Sequence, residues 1–71
     1  MKTKPNDSLL REVRAGLTAK GSSLHRYMID KDGRSPQYAR AVLLGRTNGE
    51  AARALRARLA EAAGVSYQEA A

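Results

Sequence analysis

Apolar positions along the chain recur at helical spacing, and no stretch of useful length alternates as a strand would. In "NDSLLREVRAGLTAKG", residues 6–21, Leu9, Leu10, Val13 and Leu17 form one stripe and predict the first helix. Asn6 or Asp7 offers the capping oxygen, Asp7 and Glu12 place acids near the positive end of the dipole, and Gly21 is a natural left-handed stop. Gly16 inside this helix costs about 1 kcal/mol against alanine, which points to another helix crossing close by. "SSLHRYMID" is the second candidate, capped by Ser22 or Ser23, with Leu24, Tyr27 and Met28 on one face. "KDGR" then breaks the pattern, because Asp-Gly is a strong turn signal.

The third helix lies in "GRSPQYARAVLLG", residues 33–45, with Ser35 as N-cap and Pro36 at the first helical position. Isolated helices shorter than about 12–15 residues are marginal in water, so the rest of the fold must hold this one from behind. "RTNGEAARALRARLAEAAGV" gives a fourth helix, with Thr47 and Glu50 at capping-box spacing and a stripe of Ala52, Leu55, Leu59 and Ala62. Gly64 ends it, and Val65 can fold back on its last turn. The expectation is an all-α chain of one domain over residues 6–65, with a basic arm at 1–5 and a tail at 66–71.

Composition narrows the chemistry. With no cysteine there is no disulfide, and a single histidine, His25, makes a structural zinc site improbable. No cofactor or small-molecule ligand is suggested. No apolar run approaches the roughly 20 residues that span a bilayer, and no signal-peptide core follows "MKTKPNDS". A cytoplasmic, nucleoid-associated protein that does not use a membrane is expected. Catalysis finds no support: there is no nucleophile pattern around His25, no phosphate loop and no paired-carboxylate motif.

Charge is the stronger pointer. Thirteen Lys and Arg against seven Asp and Glu give a net charge of +6 and a pI near 10.3, which favours a polyanionic partner. Between Lys31 and Arg58 stand seven basic residues against Asp32 and Glu50. On a helical wheel Ala39, Val42 and Leu43 form the packing half of the third helix. The opposite half carries Gln37, Ala41 and Leu44, with Tyr38 and Arg40 at its shoulders. Glutamine pairs bidentately with adenine, arginine with guanine, and a methyl group meets the thymine methyl, so this face has the chemistry to read base edges. Tyr38 can instead direct its hydroxyl to a phosphate or its ring to the core. A capped short helix, a glycine turn and a second capped short helix make the helix-turn-helix pattern, in which the second helix leads into the major groove.

The run "SSL…GRSPQYARAVLLGRTNGEAARALRARLAEAAGV" resembles the small helix-turn-helix regulators of phages and prophages in the lambda-repressor-like (Cro/C1-type) superfamily. The resemblance covers roughly residues 9–65. It implies a compact four- to five-helix domain that binds operator DNA, often as a homodimer, and represses promoters, frequently its own. Some small members silence anti-CRISPR operons, and this chain is similar in size and style. The resemblance further implies base or phosphate contacts for Gln37, Tyr38, Arg40 and Ala41, and core packing for Ala39 and Val42. One departure stands out: "YMIDKDGRS" places Met28 where the superfamily keeps a small residue, and predicts a longer, more charged turn before the third helix.

Ser22, Ser23, His25, Arg34, Ser35, Arg46 and Asn48 are the candidate phosphate contacts, Ser35 doubling as the cap. Arg53 and Arg56 are expected on the outer side of the fourth helix, with Arg56 and Arg58 serving solvation. Leu59, Ala63, Val65 and Tyr67 are the candidate dimer surface, the plainer alternative being that they complete the monomer core. The leading expectation is a sequence-specific repressor on an inverted-repeat operator. The alternatives are a basic helical module that inhibits a host protein, or an excisionase or architectural DNA-binding factor.

Overall fold

A computed structural model describes residues 7–66. In chain order it has α1 (Asp7–Ala19), α2 (Leu24–Tyr27) running on into a π-helical segment (Met28–Asp32), α3 (Pro36–Leu43) and α4 (Glu50–Ala63). There is no strand among the described residues, so the fold is all-α. The principal extents are 31 × 25 × 16 Å. Helices pack about 8–10 Å apart, so the shortest dimension holds two helix layers and one sheet of side chains between them. No helix among the described residues is long and apolar enough to cross a membrane. The basic arm, the Asn6 cap and tail residues 67–71, Tyr67 among them, lie outside the described residues.

The predicted stripes supply most of that core, with Leu24, Tyr27 and Ala62 only half-buried at its edge. Leu9, Val13, Met28, Ala39, Val42, Leu43, Leu55 and Leu59 are fully buried, with Leu10, Leu17, Ala52 and Ala63 nearly so. α1 and α4 form the main pairing and α3 lies across both. Gly16 marks where α1 meets α4: a Cβ there would stand 2.9 Å from Ala63 Cβ and 3.0 Å from its carbonyl carbon. The residue that weakens the helix by propensity is the one that lets the two backbones approach.

Two boundaries differ from the sequence reading. The second helix does not break at "KDGR" but continues to Asp32, where the Gly33 N–H donates to the Met28 carbonyl across a widened turn. Gly33 takes φ +88° and stops it, leaving only residues 33–35 between the helices in place of a longer turn. Thr47 and Glu50 do not form a capping box. Gly49, which has no side chain to offer, is the N-cap of α4, and no side chain caps it.

Candidate functional site

α3 is fixed at both ends and along one side. At its start Ser35 Oγ accepts the Tyr38 N–H at 3.2 Å, and Pro36 occupies the first turn without needing a partner. Along its length Ala39, Val42 and Leu43 are buried. At its end Gly45 turns left-handed at φ +82°, and the Arg46 N–H donates to the Ala41 carbonyl at 3.0 Å.

A fully buried arginine completes the hold. Arg56, expected on the outer side of α4, has no exposed surface. Its Nε donates to the Val42 carbonyl at 3.0 Å, and its Nη2 donates to the Thr47 carbonyl at 3.1 Å and to Asn48 Oδ1 at 2.8 Å. A cation is thereby set at the negative end of the α3 dipole. The wheel carried the signal: at about 100° per residue Arg56 falls about 40° from Ala52, inside the apolar stripe. Asn48, a candidate phosphate contact, is drawn into the same clamp, its amide also donating to the Gly45 carbonyl at 2.8 Å.

The remaining side of α3 faces outward. Gln37 and Arg40 are exposed, Ala41 and Leu44 half-buried. Gln37 and Arg40 stand between two shallow depressions. One, of about 210 Å³, is otherwise lined by Leu10, Arg14, Leu24, His25 and Pro36. The other, of about 250 Å³, is otherwise lined by Asp7, Ala41, Leu44 and Arg46. Three arginines (Arg14, Arg40, Arg46) therefore surround Gln37, with Asp7 as the opposing charge. Arg14 and Asp7 were not anticipated. Arg14 lies four residues beyond Leu10, so the two share a face of α1 and flank the same depression.

The other candidates divide. His25 and Arg46 are exposed on this face. Ser23 caps α2, its Oγ accepting the Arg26 N–H at 3.1 Å. Ser22 is half-buried in the turn after α1, its N–H donating to the Leu17 carbonyl at 2.9 Å. Tyr38, expected at base or phosphate, packs against the core edge and carries the Arg34 guanidinium over its ring, 4.9 Å from the centroid. Arg34 in turn is paired with Asp32 at 2.7 Å, and Arg58, expected to serve solvation, reaches the same carboxylate at 2.9 Å. Leu59 and Ala63 do not offer a dimer surface, since both are buried against the monomer's own helices. Val65 is half-buried on the same core, its N–H closing the end of α4 on the Ala60 carbonyl.

Comparisons with protein-family models, with curated proteins and with solved structures returned no match.

Proposed function

We propose that this chain is a sequence-specific DNA-binding repressor that inserts α3 into the major groove. The observation that carries the reading is the outward face of α3, where exposed Gln37 and Arg40 stand amid Arg14, His25 and Arg46 on a helix held at both ends. An α-helix is about 10–12 Å across with its side chains, and a major groove about 12 Å wide admits one. The short link between α2 with its π-helical extension and α3 is the length a helix-turn-helix uses.

In this reading Gln37 and Arg40 contact base edges, with the Ala41 methyl beside them. Arg46, His25 and the serines at the two helix starts meet the backbone, which sets position rather than sequence. The chain acts as a homodimer on an inverted repeat with half-sites about 34–36 Å apart. The DNA upstream of its own operon is the first natural site to examine.

The test is enrichment from a randomised duplex library, followed by binding to the enriched duplex and to a shuffled one at two salt concentrations. A repressor enriches a defined motif, and Gln37→Ala weakens binding to that motif more than to the shuffled duplex. Binding that enriches nothing and vanishes with modest salt is charge attraction alone. That result overturns the proposal and turns the search to an acidic protein partner.

A further inference from the structure

Asp32 closes the π-helical segment just before the link to α3, and its side chain is only 2% exposed. It holds Arg34 as a fork: Nε donates to Oδ2 at 2.7 Å and Nη2 to Oδ1 at 2.9 Å. The Arg34 backbone N–H also donates to Oδ2 at 3.3 Å. Arg58, 26 residues further along the chain, donates to Oδ1 at 2.9 Å and ties the link to α4. On its other side the Arg34 guanidinium lies over the Tyr38 ring. The Arg34 side chain nevertheless stays 38% exposed, immediately ahead of the Ser35 cap.

A bidentate carboxylate and an aromatic face hold a guanidinium far more narrowly than solvent does. We propose that Asp32 is a specificity-determining positioning residue for DNA binding by α3, because it fixes Arg34 in one place at the head of that helix. This rests on the DNA-binding reading above. A fixed Arg34 meets a backbone phosphate in one docking register. A loose one follows phosphates in any register and adds affinity without discrimination. The Asp32 charge also offsets the two guanidinia, which restrains sequence-indifferent attraction.

Asp32→Asn keeps the shape and removes the charge. Binding of this variant to the shuffled duplex strengthens, and the salt slope there steepens by about 0.9, the value of one further phosphate contact. Binding to the enriched duplex weakens, and the ratio between the two falls about tenfold, the loss of one charge-assisted hydrogen bond. Arg34→Lys keeps the charge and loses the fork, so it lowers the ratio with the slope unchanged. It carries the test should Asp32→Asn fail to fold, which helical circular dichroism reveals. A merely structural role weakens both duplexes together. An unchanged ratio in either folded variant overturns the proposal while leaving DNA binding intact. A wild-type chain that enriches no duplex removes the DNA reading and this inference with it.

Discussion

Removing the Arg56 guanidinium should unseat α3 before any other part of the molecule. Arg56→Met retains most of the apolar stem, which packs within the α4 stripe, and deletes the donors to Val42, Thr47 and Asn48. Thr47 and Asn48 lie near solvent and can recruit water, but the Val42 bond is buried. A hydrogen bond to a charged group contributes about 1.5–3 kcal/mol, and the Val42 carbonyl keeps the Gly45 N–H at 3.2 Å, so its loss leaves no orphaned acceptor. Relief from desolvating the guanidinium offsets part of this. The net loss is about 1–3 kcal/mol, against a whole-domain stability of roughly 4–10 kcal/mol for a chain of this length. At about 4–8 °C per kcal/mol, the melting temperature drops by roughly 5–20 °C. Arg56→Lys keeps the cation but not the planar fork, and falls between the two. Thermal melts followed by circular dichroism read the magnitude. Native-state hydrogen exchange reads the place, with α3 amides losing more protection than those of α1. A methionine variant as stable as wild type would refute the reasoning, because the buried guanidinium would then be a tolerated cost and not the clamp on α3.

Three further outcomes follow from the geometry. Gly16→Ala gains about 1 kcal/mol in helix propensity but forces its Cβ against the Ala63 backbone, so denaturant unfolding shows a net loss of about 1–3 kcal/mol; a stabilised variant would mean that α1 and α4 do not meet so closely. The Arg34 hydrogen bonds hold the Asp32 carboxyl below its ordinary value of 3.8, against the opposing effect of burial, with the Arg34 and Arg58 charges adding to the lowering. That stabilisation is complete above the ordinary value and is lost as pH falls through the lowered one, so acid melts destabilise wild type more than Asp32→Asn, and equal losses would contradict it. Ser35→Ala loses about 1 kcal/mol with its cap, whereas Ser35→Asp keeps the cap and the melting temperature but repels a duplex; retained DNA affinity in the aspartate variant would place the head of α3 away from phosphate.

Much of this architecture is legible from spacing. The stripes of α1, α3 and α4 were readable because apolar burial and helical period coincide there, and Ser35-Pro36 marked the start of α3 by local chemistry alone. Gly16 signalled a crossing because nothing else explains a glycine in that place. The failures share a cause, which is that they depend on partners distant in sequence or on the main chain. Arg56 reads as a surface charge although its position belongs to the stripe, and besides Asn48 its partners are backbone carbonyls, which no sequence displays. Asp32 registered as a turn residue, but its link to Arg58 spans 26 residues. The π-helical turn is carried by a backbone bond that leaves no apolar repeat. Within the candidate site, the exposure of Gln37 and Arg40 followed from the wheel. Tyr38 lay on a shoulder, where its place depended on Arg34 and the core edge.

The clamp on α3 is indifferent to what that helix displays. Arg56 grips the carbonyls of Val42 and Thr47, groups that every residue possesses, and the apolar hold comes from Ala39, Val42 and Leu43 on the inner side. Positions 37 and 40 contribute to neither. They can be exchanged, by drift or by design, without altering how the helix is seated. The domain is thus a socket with a replaceable tip: new outward residues can be tried one pair at a time while the frame that presents them stays the same.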